Sequence, residues 1–530
     1  MCPAAPYGAG GGWTVKMTDA PRNDEVYDLV VVGGGVNGVG IARDAAGRGL
    51  SVLLVERNDL AGATSSASSK LIHGGLRYLE HSEFRLVRES LNEREVLWAA
   101  APHIVHPLRF VLPVRPGMRP AWMLRTGLFL YDHIGTRRFL QPTRTLRRGR
   151  NSNLSPLHER ISIGFEYSDC AVDDARLVVL NAVDARERGA RILTGWAFVG
   201  ALRNSALWHI DIESHQGAKQ RVCARALINA AGPWVETVLR CSGILHHRTL
   251  RLVKGSHMVV PRLYAGAHAY TLQGDDGRVI FTIPYQDEFT LIGTTDEPYA
   301  GDPDQVGPTT KELEYLCRTA AQYLRSPPEV RQAVWRYAGV RPLYDDGSVS
   351  ASTVTRDYVF DLDAPENLAP ILSVFGGKLT TYRQLAEHAL TQLSVPLGLP
   401  GRSWTAAATL PGGDLPNRDI EAFAAEQAAR YSFAPPSMIR RMCKAYGTRI
   451  AHIMGSARSV ADLGEQVAPM LYEAELQYLS DTEWARGADD VLWRRSKLGL
   501  YVGDSDVQRV ERWFGQSKSG TSQATPADER

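Results

Sequence analysis

The chain has 530 residues, more than one hydrophobic core usually serves, so two or three packed domains are expected. With 44 % hydrophobic and 22 % charged residues its composition is that of a globular protein, and a net charge of +2 gives no global field for nucleic acid. The six cysteines are scattered without a CxxC pair or histidines at metal-ligand spacing, which predicts reduced thiols, an intracellular setting and no metal site. No apolar run approaches the roughly 20 residues a spanning helix needs, so any membrane contact is expected to be peripheral.

In chain order, residues 1–23 are Gly-rich and aperiodic and read as a flexible extension. From Tyr27, YDLVVV, a glycine turn, GVGIARDAAGR and SVLLVE read as strand, tight turn, helix, strand. In the turn, Gly33, Gly35 and Gly38 have GxGxxG spacing, with Asn37 between the last two. The first glycine permits the turn, the second lets backbone approach a pyrophosphate, and the third lets helix and strand pack closely. Glu56 ends the second strand, where a carboxylate holds a ribose hydroxyl. These features predict a dinucleotide site without separating NAD from FAD. The following loop favours FAD, because Thr64, Ser65, Ser66, Ser68 and Ser69 crowd hydroxyls beside glycines and Lys70, a set suited to a pyrophosphate and a flavin edge.

Later apolar runs ending in glycine, around Ala224–Trp234 (with Gly232) and Ile371–Leu390, predict one sheet assembled from distant segments. Between them, alternating stretches such as RVIFTIPYQDEFTLIGTT predict an antiparallel substrate domain. In GGKLTTY, Gly376 and Gly377 precede a helix expected to start near Leu379, its N-terminus aimed at a flavin to stabilise charge on reduction. The expected organisation is residues 24–410 as a cofactor domain (parts near 24–100, 170–250 and 335–395) interleaved with the substrate domain. A helical domain over 411–516 and a disordered tail over 517–530 follow.

The segments GGGVNG, ATSSASSKLIHGGLRYLEH, FEYSDCAVDDARL, NAAGPW, KGSHMVVPR, IGTTD, GVRPL, SVFGGKLTTYR and LWRRSKLGLY together closely resemble the FAD-dependent glycerol-3-phosphate dehydrogenases. The resemblance runs from about Tyr27 to about Trp513. It implies an α/β fold of the glycine and D-amino-acid oxidase type with an added helical C-terminal domain. It also implies FAD as cofactor, sn-glycerol 3-phosphate as substrate and dihydroxyacetone phosphate as product. The implied acceptor is a membrane quinone, reached from the cytoplasmic face of the cell membrane. Gly74, Lys378, Leu379 and Thr380 join the cofactor contacts on the same ground.

Alcohol oxidation needs a base near neutrality, and a histidine with a pKa of about 6.5 suits it. His73 in KLIHGG and His257 in KGSHMVV are the candidates, and the sequence does not rank them. A phosphate needs cations in fixed geometry, best a guanidinium. Arg341 in GVRPL is assigned that grip, with Arg77, Tyr78 and Lys378 implied as further substrate contacts. The stretch from Arg109 to Arg138 mixes arginines with Trp122, Met123, Leu128, Phe129 and Leu130. It reads either as an interfacial patch for anionic lipid or as a core helix with a solvated basic loop. A glycerol-3-phosphate oxidase using dioxygen remains the alternative activity, an idle flavoprotein sensor a more distant one. A homodimer is compatible with the sequence.

Overall fold

A computed structural model describes residues 22–76, 79, 83–117, 119–345, 357–398 and 402–520. Arg77, Tyr78 and nearly all of the Gly-rich extension lie outside the described residues.

The first sheet has eight strands. Its path runs Val359–Asp363, Ile371–Phe375, Lys219–Asn229, Val26–Val32, Val52–Glu56, Arg191–Thr194, and a hairpin of Trp196–Arg203 and Trp208–Ser214 joins it at Lys219–Asn229. The four central pairings are parallel, including Val26–Val32 against both Lys219–Asn229 and Val52–Glu56. Strands buried on both faces read as the continuous apolar runs seen in YDLVVV and SVLLV. Helices Val36–Gly47, Asp174–Glu187 and Tyr382–Leu397 cover one face and share a core with Leu29, Val31, Ile41, Leu180 and Leu385. Burying each such side chain contributes roughly 1.5–3 kcal/mol.

The second sheet has ten strands and is mostly antiparallel, with Leu250–Pro261 paired to both Phe289–Gly293 and Trp335–Tyr344. Here the expected division shifts. Trp335–Tyr344, assigned from sequence to the cofactor part, pairs with Leu250–Pro261 from Leu250↔Tyr344 to Val259↔Trp335. Its partner is the strand carrying His257, and an antiparallel ladder of that length fixes it in the second sheet.

Beyond Gly412 the chain is helical, with Ile420–Arg430, Pro436–Tyr446, Glu473–Glu483 and Asp504–Gly520 around a separate core of Met438, Met442, Leu476, Leu479 and Val510. Asp419 caps the first of these by accepting from the backbone N–H groups of Glu421 and Ala422. The last helix continues to Gly520, four residues into the stretch expected to be disordered, because its apolar stripe docks on the same core through Val510 and Phe514.

Candidate active site

One cavity of about 930 Å³ lies where the two sheets meet. Its lining joins segments far apart in sequence: the first glycine turn, the 57–69 loop, Ala230–Trp234, Arg341, and Gly376–Thr380.

At one end the glycine turn forms a cradle. Gly33 has φ +111°, and a Cβ there would lie 2.5 Å from the Ala230 carbonyl oxygen. A Cβ on Gly35 would stand 3.2 Å from Ser65 Oγ, which accepts from the Val36 N–H at 3.0 Å. Asn37 donates through Nδ2 to the Gly376 carbonyl at 3.2 Å, and its buried Oδ1 lines the cavity without a partner. Glu56 accepts from the backbone N–H of Gly34 at 2.7 Å and of Asn58 at 2.8 Å. Burial pushes its carboxyl above the usual carboxylate range, and the two N–H donors oppose that shift. A backbone cradle, an orphaned amide oxygen and a ribose-side carboxylate fit a dinucleotide such as FAD.

Not every predicted contact faces this space. Gly38 is outside the lining, and a Cβ on it would come within 1.9 Å of the Gly33 carbonyl, so its role is close packing. Gly74 is likewise outside; its N–H donates to Tyr131 Oη at 2.9 Å, and a Cβ would strike Leu91. Lys70 sits behind the wall as a buried ion pair with Asp174 at 2.8 Å, because an ammonium with so little water around it must be matched. The helix after GGKLTT starts at Tyr382, not Leu379. The Thr381 N–H closes a turn onto the Lys378 carbonyl, so Lys378, Leu379 and Thr380 face the cavity from a turn instead of a helical first turn. Thr64, Ser65, Ser68, Ser69, Gly232 and Gly377 all line the cavity.

The two candidate histidines separate. His73 lines the cavity, and its backbone N–H donates to Thr380 Oγ1 at 3.4 Å. His257 is buried one layer behind, its Nε2 2.9 Å from Ser69 Oγ and its ring stacked on Tyr337 with centroids 4.7 Å apart. Burial holds its pKa well below the ordinary value, with Arg341 and Lys70 adding to the effect. It is a neutral imidazole near pH 7.

Arg341 lines the cavity in an ion pair with Asp296, and its Nη2 donates to Thr294 Oγ1 at 3.1 Å. Both partners are cavity residues that sequence reasoning did not single out, although both stand inside the quoted IGTTD motif. Arg57 was also missed; its guanidinium lies 4.0 Å over the Trp234 ring at the cavity edge.

The cavity mouth runs past Leu79, Phe84, Trp122, Met123 and Leu130. The helix Ala121–Ile134 leaves Trp122 68 % and Phe129 59 % exposed, with Phe139 beyond it 58 % exposed. Of the two readings of this stretch, the core helix does not hold, since only Leu128 and Tyr131 on it are buried. Among the described residues no helix is long and apolar enough to cross a membrane.

One group outside the cavity brings together possible metal donors: Asp24, His209 and Cys223 lie within 4.8 Å of one another. Asn204 Oδ1 accepts from Ala206 and Leu207 N–H, which turns its amide to donate to His209 Nε2 at 2.8 Å. His209 Nδ1 in turn faces Cys223 Sγ at 3.3 Å. As arranged, imidazole and thiol form a hydrogen-bonded pair.

Comparison with known proteins agrees with this geometry. Residues 28–383 match the FAD dependent oxidoreductase family, and residues 403–514 match the C-terminal domain of alpha-glycerophosphate oxidase. A glycerol-3-phosphate dehydrogenase of Pseudomonas aeruginosa is 53 % identical, over 92 % of this chain and 95 % of its own. The chain belongs to the FAD-dependent glycerol-3-phosphate dehydrogenase family. Within that similarity stands a D-erythritol 1-phosphate dehydrogenase of Brucella abortus, 47 % identical over 92 % of this chain and 98 % of its own. The glycerol-3-phosphate dehydrogenase of Bacillus halodurans, solved as an FAD complex, superimposes with TM-score 0.74 and 27 % identity over 94 % of this chain and 92 % of its own. The fold is the expected glycine and D-amino-acid oxidase type, and FAD is the cofactor of this family.

Proposed function

We propose that the chain oxidises sn-glycerol 3-phosphate to dihydroxyacetone phosphate and passes the electrons to a membrane quinone. The observation that carries this reading is one cavity presenting a dinucleotide cradle together with His73, Arg341 and Lys378. Gly33, Gly35, Asn37, Glu56, Ser65 and Gly377 would hold FAD, which supplies the hydride acceptor when bound. His73 takes the hydroxyl proton of the substrate's middle carbon, being the candidate histidine that reaches the cavity. Arg341 turns from Asp296 to the phosphate, and Lys378 adds a second charge in the same cavity. Arg77 and Tyr78 complete the substrate contacts on the strength of the family resemblance. His257 acts through Ser69.

The quinone and the membrane location rest on the apolar mouth. Trp122, Met123 and Leu130 both line the cavity and stand exposed, so an apolar acceptor and an anionic lipid surface would meet the same face, at the inner side of the cell membrane. The oxidase reading stays in view because the C-terminal family is named for an oxidase. Anaerobic addition of glycerol 3-phosphate to the purified yellow protein should bleach the flavin band, with D-erythritol 1-phosphate slower. On admitting acceptors, a soluble quinone analogue should be reduced far faster than peroxide forms. Equal rates would favour the oxidase, and no bleaching with either phosphate would overturn the substrate assignment.

A further inference from the structure

We infer that the C-terminal segment Trp493–Lys497 is a positioning device for the cofactor loop, holding residues 59–70 against FAD from outside the cavity. This rests on the cofactor site described above and on a motif, LWRRSKLGLY, whose residues take no part in the reaction.

Three separate connections leave this short segment; one arrives at the start of the loop and two converge on its end. At the start, Arg494 Nε donates to Asp59 Oδ2 at 2.6 Å, while Arg495 donates to both Asp59 oxygens at 2.6 and 2.7 Å. Arg495 is fully buried and Asp59 is 2 % exposed, so this two-pronged pair is nearly out of water. At the end, Lys497 Nζ donates to Asp173 Oδ1 at 2.9 Å. Asp173 caps helix Asp174–Glu187, and its neighbour Asp174 accepts from Ser68 Oγ at 2.7 Å and from Lys70 Nζ at 2.8 Å. Also at the end, Trp493 stacks on Trp335 (4.6 Å), Trp335 packs at a tilt on Tyr337 (4.6 Å) and Tyr337 stacks on His257 (4.7 Å), and His257 bonds Ser69. Ser68 and Ser69 line the cavity; Trp493, Arg495 and Lys497 do not.

The segment's own backbone suits this use. Asp490–Arg495 is a π-helical turn, which displaces side chains from their α-helical spacing, and Lys497 follows at φ +61°. Consecutive residues thus point to different ends of the loop. A loop fixed at both ends presents its hydroxyls at little ordering cost when the cofactor arrives, so loosening either end should appear as weaker FAD binding.

The test measures FAD affinity of the full-length protein by flavin fluorescence quenching, together with the visible flavin spectrum and the FAD-induced rise in Tm. Lys497→Met and Trp493→Leu should each weaken FAD binding by about 3- to 30-fold and shift the flavin band. Lys497→Arg should restore much of the affinity. Arg441→Met is the control: it breaks another largely buried C-terminal pair, Arg441 with Glu475 at 2.6 Å, that does not touch the loop. It should lower Tm and leave FAD affinity unchanged. Native affinity in both Lys497→Met and Trp493→Leu, or equal weakening in Arg441→Met, overturns the inference. If Lys497→Met does not fold, Trp493→Leu, which removes no charge, decides alone. A wild-type protein that binds no FAD would instead overturn the cofactor reading.

Discussion

Arg341 offers the most discriminating perturbation, because two opposing partners compete for it. Its guanidinium is paired with Asp296 and bonded to Thr294 Oγ1 at 3.1 Å, and 26 % of the side chain is exposed against 13 % for Asp296. Lysine keeps the charge but brings a single point donor in place of a planar fork. Losing one hydrogen bond to a charged group is worth roughly 1.5–3 kcal/mol, so Arg341→Lys should lower kcat/KM for glycerol 3-phosphate by about one to two powers of ten. Glycerol lacks the phosphate, and its poor turnover should fall far less. Arg341→Ala also takes from Asp296 its ion-pair partner. A fully buried orphan costs about 3–5 kcal/mol, and the partial exposure here reduces that to about 1–3 kcal/mol of stability. The double variant Arg341→Ala/Asp296→Asn should therefore regain Tm without regaining activity. Steady-state kinetics on both substrates with thermal melts of the three variants decide the matter. Equal proportional losses on glycerol and glycerol 3-phosphate would refute the phosphate grip, and an unrecovered Tm in the double variant would refute the account of Asp296.

Gly35→Val should give colourless protein, since even a Cβ would lie 3.2 Å from Ser65 Oγ and the branched methyls would fill the cradle; a normal flavin content after purification would contradict this. Replacing Trp122 and Phe129 by Ser should weaken binding to anionic vesicles at least tenfold, as burying most of a large apolar side chain is worth about 1–2 kcal/mol each; unchanged co-sedimentation would remove the patch from the membrane interface. Stability should also fall on mild acidification. His257 has its pKa held well below normal, His103 is lowered to about 3 and His268 to about 4, each chiefly by burial. Folded-state values below the unfolded value of about 6.5 mean that the unfolded chain binds more protons, so stability is intact above pH 6.5 and is lost as pH falls below it. Each of the three adds a slope of up to about 1.4 kcal/mol per pH unit, and a flat Tm between pH 7 and 5 would refute their burial as neutral groups.

The cofactor cradle was legible because backbone chemistry writes itself into sequence: a turn at φ +111° demands Gly33, and the close helix contact demands Gly38. The parallel strands were legible as unbroken apolar runs. What escaped were contacts made by ordinary polar residues across the fold. Nothing local distinguishes Asp296 from a surface aspartate until the strand Trp335–Tyr344 brings Arg341 beside it. Lys70 misled for the converse reason. A lysine among serines suggests an anion, yet its anion is Asp174, distant in sequence and fully buried. The start of the helix at Tyr382 was misplaced because a Lys–Leu–Thr–Thr run carries no strong capping signal, and the turn closed by Thr381 is set by the preceding glycines.

The order in which the cavity walls occur along the chain bears on how the protein matures. Its first wall, Val32–Asn37, leaves the ribosome early; the Ala230–Trp234 wall follows much later, the turn Gly376–Thr380 later still, and the segment Trp493–Lys497, outside the cavity, almost last. Pairings so remote in sequence close slowly and leave strand edges bare while they wait. A nascent chain therefore holds an unfinished cradle until late in synthesis, with one edge of Val26–Val32 lacking its parallel neighbour Lys219–Asn229. Because a ligand that binds only the completed fold stabilises it by mass action, flavin supply should govern the yield of folded protein as well as its activity.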